Sequence, residues 1–256
     1  MLILVSNDDG INAPGINSLR KTLETLGEVY VVAPDRPRSA TGLGITIHKP
    51  LRTEEVNFPD SSSKGYAVNG TPSDCVKLAI QALLPAKPDI VVAGINLGPN
   101  LGTDVLYSGT VSAALEGVIN DVPSIAVSLA SWDSDDFEYA AHFTGRLVRV
   151  VLERGLPEET LLNVNIPAVK VGQVPPKVSI TRLGKRRYEN IFEKRRDPRG
   201  KTYYWMGGEV LDIQTEPDTD IASVKNGEIS VTPLLFDVTN QRFLSTVKTW
   251  NLNSIL

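Results

Sequence analysis

Short unbroken apolar runs alternate along much of the chain with stretches in which apolar residues recur every three or four positions. Leu2 to Val5 reads as a strand buried on both faces. Pro14-Gly15 then opens a helix with Ile16, Leu19, Leu23 and Leu26 on one stripe. Glu28 to Ala33 supplies a second strand, so the opening of the chain has the order of a βαβ unit. After it come a β-prone stretch, Ile45 to His48, and a serine-rich surface loop over 57–65. Thr71-Pro72-Ser73-Asp74 marks a helix start, with Thr as cap, Pro at the first helical position and an acid at the third. That helix turns Val76, Ala79, Ile80 and Leu83 inward and stops before Pro85. Further strands are expected at Asp89 to Ile95, Ser124 to Leu129 and Leu161 to Ile166. Between them lie a helix with the stripe Val111, Ala114, Leu115, Val118 and Ile119, and a long amphipathic helix over about 137–154. This alternation specifies an α/β protein with a mostly parallel central sheet.

Beyond residue 177 the rhythm changes. Val178 to Leu183 reads as a strand, and the segment over about 183–207 reads as a long hairpin or arm. From Arg182 to Lys201 it holds nine basic and three acidic residues, an excess fit for a solvated hairpin, a subunit clasp or a lip that attracts phosphate-bearing substrates. Asn226-Gly227 is expected to turn a hairpin into a strand from Glu228 to Thr232. A helix over 240–252 closes the chain with Phe243, Leu244 and Val247 inward. One domain over 1–256 results, with a core over about 1–180, the hairpin, and a C-terminal strand and helix over 228–256.

Composition narrows the class. With 41% apolar residues, 22% charged residues and a net charge of −4, the balance favours neither a stable nucleic-acid complex nor an anionic membrane. No apolar run approaches the roughly 20 residues of a membrane span. The chain starts a strand at once, without a basic leader, so no secretory signal is expected. Cys75 is the only cysteine, which rules out an intramolecular disulfide and makes a cytoplasmic setting the expectation. His48 and His142 are the only histidines, too few for Cys/His zinc sites or an HExxH metalloprotease.

Candidate chemistry concentrates at strand ends. Ser6-Asn7-Asp8-Asp9-Gly10 follows the first strand, and two adjacent carboxylates there repel each other, lose solvation and call for a cation. A solvated turn is the plainer reading. Ser39 follows the second strand and Asn96 a central one; if these strands are parallel neighbours, their tips share one crevice. Asp8, Asp9, Ser39 and Asn96 are all hard oxygen donors, a set that selects magnesium or manganese, with calcium a further occupant, over zinc or copper. Ser108-Gly109-Thr110 opens a periodic helix and suits an anion seat, with Asn100 nearby, or else a simple N-cap. There is no G-x-x-x-x-G-K-[ST] and no G-x-S-x-G, which removes P-loop nucleotidases and the usual hydrolase elbow. Cys75 and both histidines read as structural or surface residues.

The ordered motifs S-N-D-D-G-I-N-A-P-G from Ser6, V-A-P-D-R-P-R-S from Val32, N-G-T-P-S-D-C-V from Asn69, D-I-V-V-A-G-I-N-L-G-P-N-L-G from Asp89, Y-S-G-T-V-S-A-A-L-E-G from Tyr107 and D-P-R-G-K-T-Y-Y-W from Asp197 resemble the SurE (survival protein E) family of metal-dependent 5′-nucleotidases and phosphatases. The resemblance implies a Rossmann-like three-layer fold with an extended hairpin arm and a C-terminal oligomerisation segment. It implies one divalent metal per subunit at Asp8, Asp9, Ser39 and Asn96, phosphate facing Ser108 to Thr110, and arms that join subunits into dimers or tetramers. The implied reaction is hydrolysis of nucleoside 5′-monophosphates, with short polyphosphate a further substrate. Asp8 or Asp9 is the candidate to orient water, and an aspartyl-phosphate on Asp8 is the chemical rival. A non-catalytic nucleotide sensor on the same fold is the alternative function. The chain departs from the family pattern at Leu43, where many relatives have asparagine, and at Leu235, where many have histidine.

Overall fold

The computed structural model describes all residues except 60, 135, 170–172, 190, 213–215 and 256, and leaves the Asp212 side chain undescribed. The strands are β1 (Leu2–Ser6), β2 (Glu28–Pro34), β3 (Thr53–Asn57), β4 (Lys64–Val68), β5 (Ile90–Leu97), β6 (Ser124–Leu129), β7 (Thr160–Ile166) and β8 (Val178–Ile180). The arm carries β9 (Arg186–Glu189), β10 (Phe192–Arg196), β11 (Thr202–Met206) and β12 (Glu209–Asp212), and β13 (Ile229–Leu235) returns to the core. The helices are α1 (Pro14–Leu23), α2 (Pro72–Leu78), α3 (Gly109–Ile119), α4 (Glu138–Arg154), α5 (Asp220–Lys225) and α6 (Gln241–Lys248).

Among the described residues one sheet runs in the order β3-β4-β2-β1-β5-β6-β7-β13-β8. The six strands from β4 to β7 are mutually parallel, while β3 and β13 run against their neighbours β4 and β7. Alternation along β1 explains the layering: Ile3 and Val5 join the core under α1 and α4, and Leu4 faces the core under α2 and α3. Every residue of β6 is buried, as a central parallel strand requires. From β1 the chain goes first to β2 on one side and later to β5 on the other. The strand order therefore reverses at β1, and the crevice at the tips of β1 and β5 is where such a sheet binds ligands.

Several expectations need correction. Residues 45–48 form no strand; Thr71 Oγ1 donates to Gly44 O, the Thr46 amide donates to Asp74 Oδ1, and these caps hold the segment against α2. β3 and β4 lie partly in the stretch expected to be a loop. Their hairpin forms the sheet edge, so β3 is nearly all exposed and carries no apolar alternation to betray it. The strand from Val178 ends at Ile180, and the arm runs to residue 212 rather than 207. Asn226-Gly227 ends helix α5 instead of turning a hairpin, because a glycine at positive φ (72°) serves a helix end as well as a turn. The closing helix is shorter than expected and exposes Phe243 and Leu244. Leu26 lies beyond the end of α1.

Candidate active site

The acidic turn is built by Asn7. Its Nδ2 donates to the Gly10 carbonyl at 2.9 Å and its Oδ1 accepts the Gly10 amide at 3.1 Å, bracing the four residues that carry Asp8 and Asp9. Gly10 sits at φ 98°, a conformation side chains rarely adopt. Two other strand tips close on this turn. The Arg38 amide donates to the Asp8 carbonyl at 2.7 Å, which brings the segment bearing Ser39 alongside. Asp9 Oδ2 accepts the Leu97 amide at 3.2 Å, directly after Asn96. Asn96 Nδ2 donates to the Gly98 carbonyl at 2.8 Å, so its nitrogen is engaged and its oxygen is the remaining donor atom.

Asp8 is only 5% exposed, and burial pushes its carboxyl up to about 6. The charge of Asp9 adds to that shift, while hydrogen bonds from the Thr110 side chain and backbone oppose it. Thr110 Oγ1 reaches Asp8 Oδ1 at 2.6 Å. Burial also raises Asp9, against the Leu97 amide. The N-terminus of α3 thus points its positive end at a protein carboxylate. Gly109 permits that approach: a Cβ there would stand 2.6 Å from Asp8 Cβ and 2.8 Å from Oδ2. Ser108 is the N-cap of α3, accepting the Val111 amide at 3.1 Å.

Asn100 is embedded below the tips. Its Nδ2 donates to Ser128 Oγ and its amide to Asn165 Oδ1, both at 2.8 Å, while Asn163 and Asn165 donate to its carbonyl. One of the two Nδ2 hydrogens is therefore taken by Ser128. Ser39 and Leu43 are exposed on the loop after β2, and Leu235 is exposed on β13. His142 is exposed on α4, within 3.7 Å of Glu138. Cys75 is buried, and burial pushes its thiol well up, as befits a packing residue.

The residues after β5 that lead into α3 are clamped from the far side. Asp104 accepts Arg186 at 2.9 Å and the Tyr188 hydroxyl at 2.7 Å; burial and Asp104 push that phenol up to about 12, keeping it a donor. Buried Asp220 accepts the Gly102 and Gly184 amides, each at 2.7 Å. From the near side the Gly42 amide donates to the Tyr107 carbonyl at 3.2 Å. Neither this clamp nor the bracing by Asn7 and Thr110 follows from a motif; Asx-type bracing beside Gly10 was the one legible hint.

Among the described residues neither Asp8 nor Asp9 has a basic partner, and two desolvated carboxylates side by side fit a divalent cation. No cluster of three or more His, Cys, Asp or Glu able to hold a metal ion occurs among the described residues. A groove of about 480 Å3 lined by Tyr30, Lys64, Tyr66 and Leu83 lies toward the other end of the strands. It shares no residue with the carboxylate site.

The sheet order and the polar cluster at its carboxyl edge define an open α/β protein with its site at the strand reversal. The chain matches the family model described as survival protein SurE over residues 3–190, and it belongs to that family. It is 57% identical over 249 residues to a protein of Pelotomaculum thermopropionicum named 5′-nucleotidase SurE, covering 97% of this chain and 94% of the relative. A Moorella thermoacetica protein of the same name is 58% identical over 243 residues, covering 95% and 93%. The crystal structure of the SurE protein from Aquifex aeolicus superposes with a TM-score of 0.83 at 43% identity, covering 97% of this chain and 99% of that one.

Proposed function

We propose that the chain is a 5′-nucleotidase, hydrolysing nucleoside 5′-monophosphates to nucleoside and inorganic phosphate with one divalent cation per subunit. The observation that carries the site is the Asp8–Asp9 couple at the strand reversal, which has no basic partner among the described residues. The relatives named 5′-nucleotidase SurE carry the substrate class. Asp8, Asp9, Asn96 and Ser39 are the residues that would hold magnesium or manganese, with calcium as an alternative occupant. Bound there, the ion supplies Lewis acidity and charge neutralisation to the phosphoryl group.

The chain's own residues do the rest. Thr110 fixes the Asp8 carboxylate through Oδ1, and the Leu97 amide fixes Asp9 through Oδ2. Ser108 caps α3 and Thr110 holds Asp8, and the Gly109 amide at the same helix end would receive a phosphoryl oxygen. Of the two candidates to orient water, Asp8 and Asp9, the second is the less buried and would be the one to do so. Phosphate release from AMP should vanish after treatment with a chelator and return with manganese or magnesium alone. Persistent release without added metal overturns this reading, and metal-dependent nucleotide binding without release favours the sensor.

Two finer points belong to the same proposal. A second copy of the chain is the expected partner, supported by exposed Phe192, Trp205 and Met206 on the arm and by the exposed apolar face of α6. Among the described residues no helix is long and apolar enough to cross a membrane; the buried free thiol of Cys75 supports a cytoplasmic setting.

Gly109→Ala tests the approach of α3 to Asp8. The added methyl must move Asp8 or the helix by several tenths of an ångström. We expect kcat/KM to fall about 10- to 100-fold. The melting temperature should fall as well, since forcing a methyl against the buried Asp8 costs about 1 to 3 kcal/mol.

A further inference from the structure

We propose that Trp132 is the platform on which the base of the nucleotide stacks while the phosphate lies in the crevice between the Asp8, Asp9 and Asn96 cluster and the start of α3. This rests on the nucleotidase reading and adds a specificity-determining residue to it. Trp132 follows β6, the strand next to β5, and its side chain is 73% exposed. Its six-membered ring lies against Gly98: a Cβ on that glycine would stand 2.2 to 2.7 Å from the ring carbons Cη2, Cζ3 and Cζ2. Gly98 adopts φ 99°, so two independent constraints favour glycine beneath the ring.

The place of the ring matters more than its exposure, since single exposed aromatics are common. Gly98 is part of the site. Its carbonyl holds Asn96 Nδ2 at 2.8 Å, and the Leu97 amide before it holds Asp9 Oδ2. The Gly98 amide donates to the Leu129 carbonyl at 3.0 Å, locking the tips of β5 and β6 together beneath Trp132. One part of the indole is thus seated on the backbone that positions Asn96, and the remaining surface is open to solvent. A nucleoside 5′-phosphate carries its base one ribose away from the phosphate, and every base offers a flat face to an aromatic ring.

Alternatives elsewhere on the rim are less well held. Tyr107, 67% exposed, lies on the α3 side of the site, and its ring makes no aromatic pairing among the described residues. Leu43 and Leu106 are exposed as well but offer no π-face.

The test compares AMP with ribose 5-phosphate, which has the same phosphate and sugar but no base. In Trp132→Ala the ratio of kcat/KM for AMP to that for ribose 5-phosphate should fall roughly 5- to 100-fold, mostly through KM for AMP. Trp132→Tyr should recover most of the ratio. Adenosine should quench tryptophan fluorescence in the wild type and much less in Trp132→Tyr. An unchanged ratio, or an equal fall for both esters, overturns the inference and leaves Trp132 as a prop for the Gly98 turn. A ratio moved by Tyr107→Ala and not by Trp132→Ala also overturns it. If the wild type releases phosphate from neither ester, the nucleotidase reading fails, and the platform falls with it.

Discussion

Replacing Asp8 by asparagine abolishes nucleotidase activity, a loss of more than about 100-fold, while the folded chain becomes no less stable. The activity side follows from the role assigned to Asp8. Loss of outer partners of a metal site already costs about 10- to 100-fold, and a direct ligand carries more. The stability side follows from burial. At pH 7 the wild type without metal holds an ionised carboxylate that has lost its water and faces Asp9. Asparagine keeps the shape and can still accept from Thr110 Oγ1. The pH dependence has a definite sign. The folded value near 6 lies above the ordinary 3.8, so the folded state binds this proton more tightly than the unfolded chain. That contribution is fully present below about pH 4, is lost as pH rises to about 6, and amounts to roughly 3 kcal/mol. Thermal melts in the presence of a chelator should show this decline for the wild type and a flatter profile for Asp8→Asn. Added manganese should raise the melting temperature of the wild type at pH 7 and have far less effect on the variant. A large drop in stability for Asp8→Asn with activity retained would assign the couple to the turn alone.

The strand–helix alternation and the acidic turn were legible because both are local. A buried parallel strand is mostly apolar, as Leu2 to Val5 of β1, Ile90 to Ala93 of β5 and Ile125 to Val127 of β6 are, and Asp8-Asp9 directly after β1 breaks that pattern too sharply to be a loop by default. Capping was equally readable: Thr71 and Asp74 form the reciprocal box that their spacing implies. The edge hairpin of β3 and β4 was hidden because an edge strand need not alternate. Pairings across the fold were hidden for a different reason. Thr110 and Asp8 are 102 residues apart, and nothing in either neighbourhood says that the hydroxyl serves a carboxylate rather than phosphate. Trp132 is the same case, since only the packing of its ring on Gly98 distinguishes it from a scattered surface aromatic.

The largest loss of stability is expected at Asp220, far from the carboxylate couple in sequence and absent from every motif. Its carboxylate is fully buried and accepts three amides: Gly102 through Oδ2, Gly184 and Ile221 through Oδ1. Asp220→Ala strands all three N–H groups without water. A buried donor left unpaired costs about 1 to 3 kcal/mol, so a total of roughly 3 to 5 kcal/mol is expected after partial relaxation. For a chain of this size that corresponds to a melting temperature lower by about 10 °C. The same change frees Gly102, the start of the segment that leads to Ser108 and the α3 terminus facing Asp8. Activity at a temperature where the variant is folded should therefore fall as well, with a higher manganese concentration needed for half-maximal rate. Arg186→Gln, which loosens the neighbouring Asp104 contact, should show a weaker form of the same shift. Asp8→Asn gives the opposite signature, lost activity with stability kept. The pair of variants thus separates the group proposed to hold the cation from the group that holds the wall of the site in place.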